Sequence, residues 1–291
     1  MSDGRYYEDD KTLLRANQYP ETLIYRKDSV FKFMLLSDIH IGAAGFDRKR
    51  FDRWVSERYD DVTAILINGD VLDLLLIKDI KRYVPSVVAS ELQGRDDLYD
   101  AAIEYAASVL KPYASKIVMI GEGNHEATIL KYHSSNPVNR LINELGVPAV
   151  NGGYWGYYRF QFAHRTESKR TCNSFPLIIH YNHGKGGNAP VTKGIIDFNR
   201  FCAMAEDFDV LWLGHKHNSL SDNIMRMSMS QRGVMQFRRV TCVMTPSFVA
   251  PISSRFAEER GFTPNPIGGA IIKVSFRRDH FKTYMDTELT H

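Results

Sequence analysis

The chain has 291 residues and a formal net charge of +3 at pH 7, with a sequence pI near 8.6. Hydrophobic residues make up 44% and charged residues 24%, which is usual for a globular protein and excludes a fibrous or low-complexity chain. The basic excess falls short of the pI above ~9 expected of a dedicated nucleic-acid-binding domain, although it permits an anionic substrate. No apolar run reaches the ~20 residues of a membrane-spanning helix, and the first residues lack the pattern of a signal peptide.

The three cysteines, Cys172, Cys202 and Cys242, lie far apart, and none belongs to a C-x-x-C pair. An odd and widely spaced set is not a disulfide framework. Disulfides are rare in the cytosol, where thiols are kept reduced. We therefore expect buried, reduced cysteines in a cytoplasmic protein.

Short apolar runs alternate with amphipathic stretches after a polar, irregular lead-in. The predicted strands are Phe31–Ser37, Thr63–Asn68, Lys116–Ile120, Trp155–Phe162, Leu177–Tyr181, Val210–Leu213, Val240–Thr245 and Ala270–Phe276, and the predicted helices are Asp47–Tyr59, Asp97–Leu110, Pro137–Leu145 and Ile195–Glu206. Strands that alternate with helices indicate an α/β fold, and the surplus of strands in the second half predicts a mixed sheet or two stacked sheets. We expect an N-terminal arm over residues 1–30 and a single domain over residues 31–291.

Five of the predicted strands run directly into polar residues suited to metal binding. These segments are Asp38-Ile39-His40, Gly69-Asp70-Val71-Leu72-Asp73, Gly123-Asn124-His125-Glu126, His183-Gly184 and Gly214-His215-Lys216-His217. Ligands of open α/β sheets bind beyond the carboxyl ends of the strands, so the five segments are expected at one rim. Carboxylate, carboxamide and imidazole groups without a thiolate suit Mn²⁺, Fe²⁺ or Zn²⁺.

Spacing within the segments predicts which side chains act together. In Asp38-x-His40 and in His215-x-His217 the two residues are one apart, so on an extended segment they point the same way. Any one of these histidines is more often a hydrogen-bonded structural residue than a ligand. The conjunction of five segments in order, each at a strand end, favours a metal site.

The ordered set D-x-H, G-D-x-x-D, G-N-H-E, H-G and G-H-x-H resembles the calcineurin-like metallophosphoesterase superfamily over residues 31 to about 250. The resemblance implies a four-layer α/β/β/α sandwich of two mixed sheets with flanking helices. It also implies two divalent metal ions at the strand ends, with Mn²⁺ expected and Fe²⁺, Zn²⁺ or Ni²⁺ as alternatives. A water between the two metals would lose its proton near neutral pH and attack the phosphorus.

The resemblance also assigns a role to each residue of the site. Asp70 would bridge the two metals, of which one would be held by Asp38, His40 and His217 and the other by Asn124, His183 and His215. His125 would act as general acid or phosphate-binding group, and Asp73 would orient its imidazole.

Four neighbouring polar residues need a separate interpretation. His180 lies three residues before His183, and we expect His183 to be the ligand because a glycine follows it as in the family pattern. His180 is then a packing residue. Lys216 is expected to point away from the histidines beside it and to be solvated. Lys185 or Asn218 is a weaker candidate for a contact with the substrate phosphate.

The sequence favours a phosphodiester substrate, nucleic acid or nucleotide, without fixing it. Basic and aromatic residues predicted near the rim, which are Lys131, Tyr132, His133, Arg140, Lys185 and Lys193, would suit a polyanion, although an ordinary solvated surface explains them as well. Leu74-Leu75-Leu76 follows Asp73 where protein phosphatases carry an Arg-rich extension, which disfavours a phosphoprotein substrate. The segment Ser254–Phe262 is similar to that of viral and prophage members of uncertain substrate.

Two alternatives remain open at this stage. The first is a phosphomonoesterase acting on nucleotides or proteins, since the superfamily fold does not select the substrate. The second is a binding module that has lost catalysis. The residues Trp155, Tyr157 and Phe160 fit an interface or core packing equally well, so the oligomeric state is not predicted.

Overall fold

The computed structural model describes residues 17–26, 28–73, 88–133, 135–165, 171–187, 191–250, 266–279 and 282–290. Its strands are β1 (Asn17–Tyr25), β2 (Val30–Leu36), β3 (Ala64–Ile67), β4 (Ile117–Gly121), β5 (Val150–Gly153), β6 (Trp155–Arg165), β7 (Thr171–Asn182), β8 (Val210–Leu213), β9 (Leu220–Met229), β10 (Met235–Met244), β11 (Ala270–Asp279) and β12 (Lys282–Thr290). Its α-helices are α1 (Arg48–Tyr59), α2 (Leu98–Leu110), α3 (Asn124–His133), α4 (Pro137–Leu145) and α5 (Ile195–Met204). Within these residues, every helix is too short or too polar to bridge a bilayer.

The described strands form two six-stranded mixed sheets. Sheet A has the order β1-β6-β7-β8-β10-β9, and sheet B has the order β12-β11-β2-β3-β4-β5. Strands β2 to β5 of sheet B run parallel, as do β7, β8 and β10 of sheet A. Their register is level at the carboxyl end, where Ile67 is paired with Leu36 and with Ile120, and Asn182 with Leu213. The segments that follow these strands therefore emerge at one edge of each sheet.

Apolar clusters fill the three spaces between the layers. On β2, Phe33 and Leu35 face the other sheet, whereas Met34 and Leu36 face α1, α2 and α4. This alternation explains why the strand is apolar without interruption, since both of its faces are buried. The third cluster lies between α5 and the outer face of sheet A, around Phe198. The four-layer α/β/β/α sandwich expected from the sequence is confirmed.

The predicted helices begin and end at residues that satisfy free backbone groups. The Asp47 carboxylate accepts from the backbone N–H of Arg50 at 3.0 Å and caps α1, and Asn136 accepts from the N–H of Asn139 at 3.0 Å and caps α4. Helix α4 ends at Gly146, which has a φ of 66°. Glycine adopts this left-handed conformation without the strain that a side chain would add.

Five elements are present that the sequence did not predict, namely β1, β5, β9, β12 and α3. Strands β1, β5, β9 and β12 lie at the ends of the two sheets and pair on one side. They therefore lack the continuous apolar run of a central strand. Strand β1 comes from the lead-in that was interpreted as an irregular arm, and it pairs in parallel with β6. The division into an arm and one domain stays a prediction.

Candidate metal centre

Two groups of possible metal ligands lie where the strands of both sheets end. The first group is Asp38, His40 and His217, and the second is Asp70, His183 and His215; in each, the ligand atoms lie within 4.8 Å of one another. Sheet B provides the residues that follow β2 and β3, and sheet A provides those that follow β7 and β8. These two groups draw on four of the five segments, and a third possible group, His40, Asp73 and His125, shares His40 with the first and adds the fifth segment.

In the first group, two ring nitrogens and a carboxylate oxygen face one another. His40 Nε2 lies 3.2 Å from His217 Nε2, and His217 Nε2 lies 3.3 Å from Asp38 Oδ1. The Asp38 carboxylate also accepts from the backbone N–H of His215 at 2.9 Å. Three lone-pair donors that converge in this way repel one another unless a proton or a cation lies between them.

The second group has the same property, and one of its tautomers can be assigned. The Nδ1–H of His183 donates to the carbonyl of Asn68 at 2.9 Å, which leaves Nε2 as the lone-pair nitrogen of a neutral ring. This Nε2 lies 3.2 Å from Asp70 Oδ2 and 3.3 Å from Asn124 Oδ1, both of which are acceptors. Nitrogen and oxygen donors without a thiolate fit a hard or borderline divalent cation.

The backbone is strained at five of these residues. Positive φ angles occur at Asp38 (52°), His40 (56°), Asp70 (47°), His215 (70°) and His217 (54°). A non-glycine residue in this region costs about 1–3 kcal/mol, and such residues cluster at functional sites. Neither the D-x-H pair nor the H-x-H pair therefore lies on an extended segment. Asp38 and His40 nevertheless point into the same group, as expected, whereas His215 and His217 point into different groups.

The electrostatics of the second group are dominated by Asp70. Burial by itself would raise the pKa of Asp70, but the imidazoles of His183 and His125 outweigh burial and hold that pKa well below its usual range. Burial would lower the pKa of His183, and the Asp70 carboxylate instead raises it to about 9. Without a cation, the anion is thus balanced by a protonated histidine.

His125 is held beside the two groups by Asp73. Its Nδ1 lies 3.0 Å from Asp73 Oδ1, its backbone N–H donates to Asp70 Oδ1 at 3.0 Å, and its Nε2 lies 3.8 Å from Asp70 Oδ2. Burial opposes the charge of His125, but Asp70 and Asp73 raise its pKa to about 10. The second oxygen of Asp73 lies 3.6 Å from Nδ1 of His40, an otherwise unpartnered buried atom among the described residues. Asp73 is therefore placed to orient His125, as predicted, and its second oxygen also approaches the ring of His40.

Residues 31–219 match the profile of the calcineurin-like phosphoesterases. The chain belongs to this family. Among solved structures it is similar to the calcineurin-like phosphoesterase YfkN from Bacillus subtilis, with 13% identity, 90% of each chain covered and a TM-score of 0.40. It is also similar to a metallophosphoesterase from Sphaerobacter thermophilus, with 11% identity, 89% of this chain and 88% of that chain covered, and a TM-score of 0.34. None of the curated proteins matches it.

As a calcineurin-like phosphoesterase, the chain is a metal-dependent hydrolase of phosphoesters. The family match covers all five polar segments, from the one after β2 to the one after β8. Both groups offer only nitrogen and oxygen donors, which agrees with the metal dependence of the family.

Glu126, the fourth residue of the G-N-H-E segment, has a structural role that the sequence did not reveal. Its buried carboxylate accepts from the backbone N–H groups of Asp70 (3.0 Å), Leu72 (2.9 Å) and Gly123 (2.8 Å). Burial and then the Asp70 charge raise its pKa to about 7. Glu126 therefore ties the loop after β3 to the loop after β4. One sequence signal could have indicated this role: Glu126 is an acidic residue in the first turn of α3, which starts within the G-N-H-E segment.

Two glycines of this phosphoesterase are required by the space around Asp70 and His183. A Cβ on Gly69 would lie 2.6 Å from Nδ1 of His183, and the residue has a φ of 74°. A Cβ on Gly123 would overlap the carboxylate of Asp70. The backbone at both positions approaches the candidate ligands too closely for any side chain.

Lys216 is not solvated, contrary to the sequence interpretation. Its side chain is 12% exposed and forms an ion pair with Asp197 of α5, whose side chain is also 12% exposed. Nearby, the Asn218 amide donates to the carbonyl of Lys193 at 2.9 Å. The loop that carries His215 and His217 is thus held by an ion pair to α5 and by a hydrogen bond to Lys193, which precedes α5. Lys185 is exposed and stays a predicted phosphate contact.

His180 lies outside both ligand groups, in the packing between sheet A and α5. Its Nδ1–H donates to the carbonyl of Gly156 at 3.0 Å, and its ring lies 4.7 Å from Tyr157 and 5.3 Å from Phe208 between centroids. Burial lowers its pKa, and the hydrogen bond offsets only part of that effect. The geometry agrees with the choice of His183 over His180 as the candidate ligand.

Several sequence interpretations concern residues that the structure does not describe. Leu74–Leu76 and Ser254–Phe262 lie outside the described residues, as do the side chains of Tyr132, His133 and Cys172. Arg140, expected in the basic cluster, is ion-paired with Asp100 and lies 4.8 Å over the Tyr99 ring between α4 and α2. Phe160 is buried in the core, whereas Trp155 is 45% exposed.

Proposed function

We propose that the protein is a phosphodiesterase that acts on nucleic acid or nucleotides with two bound divalent cations, Mn²⁺ in preference. The observation that carries the proposal is the convergence of two nitrogen and oxygen donor groups at one rim, with His125 held against Asp73 beside them. A pair of cations at such a site activates water as a nucleophile and offsets charge on the phosphoryl oxygens.

We infer the following roles for the residues of the site. One cation would be held by Asp38, His40 and His217, the other by Asn124, His183 and His215, and both by Asp70. The support is the unshared lone pairs that face one another in each group. Asp70 suits the shared position because one of its oxygens lies 3.2 Å from Nε2 of His183 and its charge also acts on Asp38 of the first group.

His125 is inferred to bind the substrate phosphate and to protonate the leaving oxygen. Its Nδ1–H is fixed by Asp73, so Nε2 is the nitrogen that faces the rim. A proton on Nε2 is the one available for transfer, and a positioned acid of this kind contributes about 10²–10⁴-fold to a rate. Asp73 keeps the ring in the productive orientation.

The substrate class is inferred from the exposed cations of the loops around the rim. Lys185 precedes Gly186, whose carbonyl lies 3.1 Å from Nε2 of His215. Lys193 is also exposed, and its carbonyl accepts a hydrogen bond from Asn218, which follows His217 in the loop after β8. Two such lysines suit the backbone phosphates that flank a scissile diester. The protein is further proposed to act in a reducing compartment such as the cytoplasm, because Cys202 and Cys242 are buried free thiols.

The test is hydrolysis of bis(p-nitrophenyl) phosphate against p-nitrophenyl phosphate, after chelation and with Mn²⁺ restored. The diester should be cleaved faster, and only in the presence of metal. His125→Ala should lower kcat by at least ~100-fold, as loss of a general acid does. The matched control is His164→Gln, which changes a half-buried histidine on β6, outside the ligand groups.

Exclusive cleavage of the monoester would overturn the diester assignment and favour a phosphomonoesterase. The nucleic-acid part has its own test, since Lys185→Glu combined with Lys193→Glu should raise KM for a single-stranded oligonucleotide. The same double variant should raise KM for the small diester much less, because only the oligonucleotide carries flanking phosphates. An equal effect on both substrates would contradict the role given to the two lysines.

A further inference from the structure

Tyr154 is the residue at which the chain passes from sheet B to sheet A. Strand β5 of sheet B ends at Gly153, and β6 of sheet A begins at Trp155. In the pairing of β6 with β7, Trp155 is opposite Asn182, which directly precedes His183. Tyr154 therefore lies beside the segment after β7 that carries a candidate metal ligand.

Three contacts join Tyr154 to this segment. Its phenol O–H donates to the carbonyl of Gly184 at 2.5 Å, and its own carbonyl accepts from the backbone N–H of His183 at 3.0 Å. Its ring meets the ring of His183 in an edge-to-face arrangement, with 5.5 Å between the centroids. Tyr154 thus contacts the candidate ligand through its backbone and its ring, and the next residue through its hydroxyl.

The hydroxyl of Tyr154 satisfies a buried backbone group in a left-handed turn. Gly184 is buried and has a φ of 98°, and its N–H donates to Oδ1 of Asn182 at 2.8 Å. Its carbonyl accepts from the Tyr154 hydroxyl, and no other group among the described residues donates to it. Because a buried carbonyl without a partner costs free energy, the turn should shift toward another donor if the hydroxyl is removed.

A shift of Gly184 would also reach a second candidate ligand. A Cβ on Gly184 would lie 3.3 Å from Cβ of His215 and 3.3 Å from the carbonyl oxygen of Gly214, so the two loops touch at this point. The N–H of Gly214 also donates to the carbonyl of His183 at 3.2 Å. The turn that Tyr154 holds therefore sets the separation of His183 and His215, which are both members of the second group.

The first group of possible ligands is not held by Tyr154. No hydrogen bond or ring contact between described residues joins this tyrosine to Asp38, His40 or His217. The loop of His40 is fixed instead by its own N–H, which donates to the carbonyl of Asp70 at 3.0 Å. A change at Tyr154 should therefore act on the second group more than on the first.

A second pair of tyrosine and histidine in sheet A provides the comparison. The ring of Tyr157 on β6 lies 4.7 Å from that of His180, and its hydroxyl donates to the carbonyl of Glu206 at 3.5 Å. His180 lies outside both ligand groups. The two tyrosines make the same kinds of contact, but of the two only Tyr154 makes them at a candidate ligand.

We propose that Tyr154 is a positioning residue for the cation of the second group. The proposal rests on the two-cation centre proposed above. The hydroxyl fixes the turn at Gly184, and the ring and the carbonyl fix His183. The contact between Gly184 and His215 extends the same restraint to the second imidazole. Substitution of a residue that orients metal ligands in this way changes metal affinity about 10–100-fold.

The experiment is titration of the metal-free protein with Mn²⁺ in competition with a metal indicator. The wild type should bind two ions and show the electron paramagnetic resonance signal of a spin-coupled pair. Tyr154→Phe removes only the hydroxyl, so it should weaken one ion about 10-fold and leave the other unchanged. At the Mn²⁺ concentration that just fills the wild type, this variant should show isolated Mn²⁺ beside the pair. The matched control is Tyr157→Phe, which should bind both ions as the wild type does.

A variant that lacks one ligand of the first group identifies the ion that Tyr154 affects. In His217→Ala, the remaining ion is that of the second group, and addition of Tyr154→Phe should still weaken it about 10-fold. Loss of the effect in this background would overturn the proposal, because Tyr154 would then act on the first group.

The other outcomes separate this proposal from the centre on which it rests. If Tyr154→Phe bound both ions as tightly as the wild type, the positioning role would be overturned and the two-cation centre would stand. Equal weakening of both ions, with a large fall in the urea midpoint of the metal-free variant, would show a general structural role instead. A wild type that binds no Mn²⁺ would overturn the two-cation centre and the proposal with it.

Discussion

The two sheets contribute different sets of residues to the candidate metal centre. Sheet B supplies His40, His125 and the three carboxylates of Asp38, Asp70 and Asp73, which are at most 12% exposed. Sheet A supplies His183, which is fully buried, and two half-exposed histidines from the loop after β8. The acids thus lie in the interior of the site, and most of the imidazoles that approach them come from the opposite sheet.

The site therefore has two halves, one formed by the loops of sheet B and one by the loops of sheet A, and different contacts fix the loops of each half. In the half from sheet B, backbone N–H groups and Glu126 fix the loops, because a buried carboxylate needs hydrogen bonds to stay charged. In the half from sheet A, the loop after β8 is fastened from outside by the ion pair between Lys216 and Asp197. Substitutions in the half from sheet B should therefore lower the rate of hydrolysis most. Substitutions in the half from sheet A should lower it indirectly, by displacing the loop that carries His215 and His217.

The largest effect is expected from Gly123→Ala, which acts on the half from sheet B. The added Cβ overlaps the carboxylate of Asp70, so either that carboxylate or the loop after β4 must move. A displacement of ~1 Å at reacting groups costs about 100-fold in rate, and we expect at least that loss in kcat/KM together with weaker metal binding. Gly187→Ala is the control, because a Cβ there meets open space. Metal content and diester hydrolysis measured for both variants would check the comparison, and equal activities would contradict it.

An intermediate effect is expected from Lys216→Met, which acts on the half from sheet A. Removal of Lys216 leaves Asp197 with only the more exposed Arg200, 3.4 Å away, as an ion-pair partner, at a cost of about 2 kcal/mol in the free energy of unfolding. The loop that carries His215 and His217 should also shift, with metal affinity lowered ~10-fold. Chemical denaturation and metal titration give the two quantities.

The companion variant Lys216→Met with Asp197→Leu separates charge from position. If the cost comes from the partly buried carboxylate that keeps only Arg200 as a partner, the double variant should recover most of the stability that the single variant loses. Independent, additive losses would show instead that Lys216 and Asp197 act separately. Recovery of stability without recovery of metal affinity would show that the ion pair positions the loop.

The sequence predicted the polar residues at the strand ends because the two signals that mark them, an apolar run and a polar residue after it, are local. A continuous apolar run marks a buried strand, and a polar residue directly after it must lie at the rim, as Asp38, Asp70 and His183 do. The edge strands escaped prediction because pairing on one side needs no continuous apolar run, and β9 also carries exposed methionines that no local pattern explains.

The rest of the site depends on partners that are distant in the chain. The burial of Lys216 follows from Asp197 on α5, and the role of Glu126 follows from three N–H groups on two loops. The left-handed φ angles of Asp38 and His40 exist because the surrounding hydrogen bonds enforce them. Except for the acidic residue in the first turn of α3, these features leave no periodic or compositional trace, so sequence reasoning placed the residues at the rim without their contacts.

The smallest effect is expected at His180, which belongs to neither half of the metal centre. Burial holds its pKa below the ordinary value of 6.5, so the folded protein resists protonation of this ring. Below that pH the unfolded chain binds the proton more readily, and the contribution of His180 to stability is lost as the pH falls. His180→Phe keeps an aromatic ring against Tyr157 and Phe208 but cannot titrate. The wild type should therefore lose stability relative to the variant between about pH 8 and about pH 5, while the other histidines contribute equally to both and cancel. Urea midpoints of the two proteins across that range measure the difference; a constant difference would show that His180 is not buried as a neutral ring.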